Sequence, residues 1–257
     1  RKSRYDAVFN LQRFASTGLI TMFSGARYTA GFDSNPLSWS FSHKAHHQLG
    51  KKGDQFFPHE VDRNISVLAG MTRTDMPVMR LYPQKEHQSK VAAYASVPFI
   101  TVSPASVWFT KQLPAEQWIS FISLVHDKKV YLLGGPSDRD KCEKIRLACE
   151  GKSDVVNLAG ELSFLESAAL MSKAAMNYTN DSGPLHFASA VDAPVAAVFC
   201  STIPEFGFGP KSKNSHVIQY SEPLSCKPCG IHGRTACPEG HFSCGKIEPD
   251  QLLRILK

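Results

Sequence analysis

Nowhere do the 257 residues contain an apolar run near the ~20 residues a helix needs to span a bilayer, so no transmembrane segment is expected. The opening, Arg1-Lys-Ser-Arg-Tyr-Asp-Ala-Val8, lacks the long apolar core of a secretory signal. It also lacks an initiator Met and runs straight into a strand-like segment, so further residues are expected upstream of Arg1. Low-complexity tracts and internal repeats are missing. So are blocks of Lys and Arg interleaved with aromatics, which ranks nucleic acid low as a partner despite a net charge of +6. Seven cysteines are an odd number without an export signal, which fits a reducing compartment and a cytoplasmic location better than a disulfide scaffold.

What remains is the composition of an ordinary globular protein, 42% hydrophobic and 20% charged, long enough for one large or two modest domains. The excess of 29 Lys and Arg over 23 Asp and Glu favours anionic partners such as sugar nucleotides or phosphorylated lipids, although a generic basic surface explains most of these charges. Residues 5–11 and 28–32 read as strands, with a helix at 14–25 between them. Residues 33–57 are rich in Ser, His, Lys and Gly and read as one long loop; helical spacing returns at 59–68. Beyond a polar stretch at 72–90, short apolar strands are expected at 99–102, 130–133, 155–157, 175–178, 195–199 and 216–219. They alternate with amphipathic helices at 115–126, 139–149, 162–172 and 185–190, and a last helix falls at 249–256. This alternation predicts βαβ units and a parallel sheet, that is, an α/β fold. Two domains are expected, 1–95 and 96–257.

Doubly wound sheets bind ligands beyond the carboxyl ends of their strands, so the turns after strands carry the functional information. The richest is Asn180-Asp-Ser-Gly-Pro-Leu-His186. Asp181 and Ser182 suit an N-cap, Gly183 lets a ligand approach the backbone, and Pro184 suits the first helical turn. Unpaired N–H groups at such a helix start suit phosphate, and an ordinary capped turn explains the same residues. After the strand at 99–102, Ser103, Ser106 and Thr110 surround Lys111, a point charge fitted to a diphosphate. Gly134-Gly-Pro-Ser-Asp138 follows the next strand; its carboxylate suits a ribose hydroxyl or, equally, a helix cap. Ser163 with Glu166 has capping-box spacing. Three of these turns on one sheet edge imply a nucleotide-diphosphate site. Apart from them, Cys226-x2-Cys229-x7-Cys237-x6-Cys244, with His232 and His241 nearby, has the spacing of a tetrahedral zinc site, of reduced structural thiols or of disulfides.

The series of motifs at 103–114, 132–138, 157–163 and 180–186, with Pro194-Val-Ala-Ala-Val-Phe199 and Cys226-Lys-Pro-Cys229, resembles glycosyltransferase family 9, the ADP-heptose:lipopolysaccharide heptosyltransferases, from about residue 4 to the C-terminus. The heptosyltransferase II branch is the nearest in appearance. The resemblance implies a GT-B fold of two Rossmann-like domains with parallel sheets, the N-terminal one incomplete here. It implies that the C-terminal domain holds the nucleotide sugar and the N-terminal domain the acceptor. Inverting transfer of heptose from ADP-heptose to the inner core of lipopolysaccharide, or another glycolipid, would follow; the alternatives are a family 9 enzyme using another nucleotide sugar and a non-catalytic nucleotide-binding or zinc-stabilised module. No metal would be required, and peripheral contact with the inner face of the inner membrane fits that acceptor. By position, Lys111 would contact the diphosphate, assisted by Ser106 and Thr110. Asp181, Ser182, Gly183, Pro184, Leu185 and His186 would hold the diphosphate and sugar. Asp138 would meet the ribose and Ser163 or Phe164 the adenosine. Residues 33–57, His59, Arg63 and Asn64 would face the acceptor, and the base carboxylate would lie upstream of Arg1. Similar cysteines occur in the family without being known for zinc, which favours a structural clasp at 226–244.

Overall fold

The computed structural model describes residues 4–72 and 78–256. Six strands form the larger sheet: β4 (Phe99–Ser103), β5 (Lys129–Leu132), β6 (Val155–Asn157), β7 (Asn177–Asn180), β8 (Val195–Val198) and β9 (Ser215–Ile218). Their order is β6-β5-β4-β7-β8-β9, with every pair parallel. The order reverses between β4 and β7, so the crevice of a doubly wound sheet opens beyond Ser103 and Asn180. Strands buried on both faces need continuous apolar runs, and β4 and β8 are buried along their whole length.

Helices cover both faces, as parallel crossovers require: α4 (Ala115–Ile122), α5 (Arg139–Ala148), α6 (Phe164–Met171), α7 (Gly183–Ala190) and α8 (Pro249–Leu256). On one face Trp118, Phe121, Tyr178, Val198 and Leu252 form the core, and the Tyr178 hydroxyl donates to the Leu252 carbonyl at 2.9 Å. On the other, Phe99, Leu170, Leu185 and Phe199 pack together.

Helix α6 shows how the sequence sets an element's start. The Ser163 hydroxyl accepts from the Glu166 N–H at 3.3 Å, and the Glu166 carboxylate accepts from the Ser163 N–H at 2.6 Å. That bond, reinforced by Lys90 at 3.0 Å, holds the Glu166 carboxyl down to about 2. Ser163→Ala is expected to cost ~1 kcal/mol in denaturant unfolding. Because the folded-state pKa is depressed, the Glu166 contribution is complete above the ordinary glutamate range and is lost as pH falls toward about 2. Lys90→Ala should therefore flatten the pH dependence of stability in that window.

The smaller sheet is β1 (Ala7–Asn10), β2 (Tyr28–Phe32) and β3 (His43–Ala45), all parallel in that order. Helices α1 (Ala15–Met22) and α2 (Glu60–Ser66) belong to the same unit. The long loop expected at 33–57 thus contains a strand, too short at three residues for its alternation to register. Two compact units result, Arg1–Val78 with Glu205–Phe208, and Met79–Pro204 with Gly209–Lys257. The division falls earlier than the 95/96 expected from where the strand–helix alternation begins. The polar stretch expected at 72–90 includes helix α3 (Lys85–Val91), which packs on α6 and buries Val91 in the core beside Phe99. The rest of that stretch, at 73–77, lies outside the described residues.

Candidate functional site

Asn180 ties the two strands at the reversal point together. Its side-chain oxygen accepts from the Leu113 N–H at 3.0 Å, and its amide nitrogen donates to the carbonyls of Ser103 and Ala105 at 3.5 Å. The loop after β4 is thereby held against the start of α7. A cavity of about 770 Å³ opens between these turns and the next ones along the sheet edge. Ser103, Ser106 and Val107 line it from the first turn, Gly134 to Asp138 from the second, Ser163 and Phe164 from the third, and Ser182, Gly183, Pro184 and Phe187 from α7. Its size is that of a small-molecule or cofactor pocket.

The walls divide by chemistry. Phe164 is largely exposed and stands 5.2 Å from the Phe187 ring, giving an apolar surface on which a planar base can lie. Asp138 accepts from the Gly135 N–H at 2.8 Å, so part of its carboxylate closes the glycine turn. Gly134 must be glycine for the same reason, since a Cβ there would fall 2.8 Å from the Asp138 Cβ. Gly183 is different: an added Cβ would meet nothing nearer than the Phe187 ring at 4.0 Å, so packing does not demand glycine there. It leaves the backbone at the start of α7 bare toward the cavity.

Neither Asp181 nor Ser182 caps α7 as the sequence suggested. Ser182 donates to the Asn180 carbonyl at 3.4 Å. The buried Asp181 carboxylate instead accepts from Lys111 Nζ and from Thr202 Oγ1, both at 2.6 Å and both on Oδ2. With no side chain on the helix start, the positive end of the α7 dipole faces the cavity. Leu185 is a core residue, and its N–H donates to the Ser182 carbonyl at 3.1 Å, so it offers nothing to a ligand. Burial pushes the His186 ring below the ordinary imidazole range; Asp181 opposes this and Lys111 adds to it. His186 is therefore neutral near pH 7.

Thr110 also differs from expectation. Buried, it accepts from the Ser201 hydroxyl at 3.0 Å and from the Arg234 N–H at 2.8 Å, so it fastens loops together and does not point into the cavity. Ser201 and Thr202 are the pair that sequence reasoning missed. They follow β8 in Cys200-Ser-Thr202, another strand-end turn that the sheet-edge rule includes but whose plain hydroxyls carry no signature.

The remaining expected residues lie elsewhere. His59 caps α2, accepting from the Val61 N–H at 3.1 Å, and Arg63 is buried among backbone carbonyls. Asn64 has a buried side-chain oxygen. His59 and Arg63 act in holding α2, whereas the Asn64 oxygen has no hydrogen-bond partner among the described residues. Cys226, Cys229, Cys237 and Cys244 are free thiols. Burial pushes Cys244 up to about 11, with Cys229 adding to it, so this thiol is protonated near pH 7. Among the described residues no three His, Cys, Asp or Glu side chains are grouped to hold a metal ion. Among them, too, no helix is long and apolar enough to cross a membrane.

Two units built on parallel sheets, the larger one doubly wound with a pocket at its switch point, define an α/β protein of the GT-B type. The chain belongs to glycosyltransferase family 9 (heptosyltransferase), whose family model matches residues 1–236. Lipopolysaccharide heptosyltransferase 3 of Escherichia coli (strain K12) is 27% identical over 216 residues, 79% of this chain and 60% of that protein. Lipopolysaccharide heptosyltransferase 2 of the same strain is 24% identical over 236 residues, 85% of this chain and 66% of that protein. The chain thus spans less than two thirds of the length of these curated relatives. Among solved structures, E. coli ADP-heptose lipopolysaccharide heptosyltransferase II superposes with a TM-score of 0.73 at 23% identity, covering 98% of this chain and 76% of that one. E. coli heptosyltransferase WaaC with ADP gives 0.68 at 19%, covering 100% and 73%. These likenesses show the fold.

Proposed function

We propose that the larger unit binds a nucleotide-diphosphate sugar, and that the protein serves inverting transfer of heptose from ADP-heptose to the inner core of lipopolysaccharide. The observation that carries this reading is the cavity at the strand-order reversal, lined by the Gly134–Gly135 turn, by Phe164 and Phe187 and by the bare start of α7. Phe164 and the Gly134–Gly135 turn suit the nucleoside. The α7 N-terminus and Lys111 suit the diphosphate, and Asp181 and His186 suit the sugar hydroxyls.

In the reaction the acceptor hydroxyl gives its proton to a carboxylate base as its oxygen attacks the anomeric carbon, the bond from that carbon to the diphosphate oxygen breaks, and the electron pair leaves with ADP. The charge that develops on the leaving group is met by a fixed dipole and an ammonium, which supply this stabilisation without a metal. Asp181 serves the donor in this scheme, because Lys111 and Thr202 already occupy one of its oxygens. The acceptor belongs to the inner leaflet of a membrane, so peripheral contact there accompanies the reading.

Calorimetry tests it with ADP-heptose against UDP- and GDP-sugars, each with and without EDTA. ADP-heptose should bind at least tenfold more tightly than the others, and EDTA should change nothing. Equal affinity for the three bases would move the assignment to another nucleotide sugar, and loss with EDTA would overturn the metal-independent scheme.

A further inference from the structure

The two hydroxyls after β8 are placed where two loops of the site meet. Ser201 Oγ donates to Thr110 Oγ1 at 3.0 Å, one residue from Lys111. Thr202 Oγ1 donates to Asp181 Oδ2 at 2.6 Å, and that same oxygen accepts from Lys111 Nζ. Thr202 and Asp181 are both buried, Thr202 almost completely.

We propose that Thr202 is a positioning residue for the sugar end of the donor, acting through Asp181; the inference rests on the nucleotide-sugar reading above. A carboxylate only accepts hydrogen bonds, so it suits the hydroxyls of a sugar and repels a diphosphate. An ammonium only donates, so Lys111 suits the diphosphate. A carboxylate held by Lys111 alone would turn whenever a phosphate drew the ammonium toward itself. The Thr202 hydroxyl has no charge to lose to the phosphate. It keeps Oδ2 fixed while Lys111 changes partner, and so keeps Oδ1 presented to the sugar. Ser201 holds the other end of the same arrangement by fixing the turn that carries Lys111.

This separates the two halves of the donor. Thr202→Val keeps the shape and removes the hydroxyl; Thr202→Ser keeps the hydroxyl and removes a methyl. In calorimetry on the full chain, Thr202→Val is expected to weaken ADP-heptose about tenfold, in line with one hydrogen bond to a charged group. ADP should change less than about twofold, and Thr202→Ser should restore ADP-heptose to within about threefold of wild type. Circular dichroism and melting of each variant exclude misfolding, and should Thr202→Val not fold, Thr202→Ala and Thr202→Ser make the same comparison. A variant that loses ADP and ADP-heptose equally, or loses neither, overturns the proposal while leaving the donor site standing. Wild-type protein that binds neither ligand overturns the donor site and this inference with it.

Discussion

Lys111→Ala is expected to weaken ADP binding by about 100-fold, the largest single effect in the site. A charge-assisted hydrogen bond is worth about 1.5–3 kcal/mol, and each 1.4 kcal/mol is tenfold in affinity. The variant also exposes the other half of the pair. Asp181 has a side chain 6% exposed and Lys111 one 17% exposed, so removing the ammonium leaves a buried carboxylate with Thr202 as its remaining partner here. Breaking a buried pair from one side costs about 3–5 kcal/mol of stability, and the residual negative charge would also repel the diphosphate. The double variant Lys111→Ala with Asp181→Asn separates these causes. It should recover most of the lost stability, because no charge is left unpaired, yet bind ADP no better than about tenfold below wild type. Full recovery of ADP affinity in the double variant would show that Lys111 acts only by neutralising Asp181.

The second large effect is structural and falls in the smaller unit. Arg63→Ala is expected to destabilise that unit by several kcal/mol, about 1–3 kcal/mol for each buried acceptor left without its donor. Arg63 is 2% exposed. It donates to Glu60 from Nε and Nη2 at 2.9 and 2.6 Å, to the Pro58 carbonyl at 2.6 Å and to the Phe206 carbonyl at 2.8 Å. It also lies over the Phe208 ring, 5.7 Å from its centroid. Gly207 accommodates this at a φ of +89°; a Cβ there would come within 2.6 Å of Nη1. One side chain thus secures the approach to α2 and the 205–208 segment together, and its loss orphans several acceptors at once. Hydrogen exchange at β2 should rise by orders of magnitude in the variant, while ADP binding, whose cavity lies wholly in the larger unit, stays within about twofold. Unchanged protection at β2 would return Arg63 to the role of an acceptor contact suggested by its position in the sequence.

Arg63 also shows where sequence reading stops. A charged residue just after a polar, His-containing loop looks like a ligand contact, because a sequence does not display the Phe206 carbonyl that reaches it from 143 positions away. Thr110 misleads in the same way: it stands next to Lys111, yet its hydroxyl is taken by Ser201 and Arg234. The capping box at Ser163 and Glu166, by contrast, was legible because it is local, closing within one helical turn. The six strands of the larger sheet were legible for a related reason. The inner strands are buried on both faces, and the short strand-like runs stand out between amphipathic helices, although β7 begins two residues later than its pattern suggests.

The loop with Asn180, Asp181, Ser182 and Gly183 joins both kinds of information. By itself the sequence determined that a strand ends there, that a helix starts at its Gly-Pro step, and that the turn belongs to a family of sugar-transferring proteins. Those properties depend on neighbours in the chain, or on motif order. Only the tertiary structure decided that neither Asp181 nor Ser182 caps the helix. It turned Asp181 toward Lys111 and Thr202, which lie 70 positions before it and 21 after it. A buried carboxylate must find its partners wherever the packed strands bring donors to it, and that requirement acts through space.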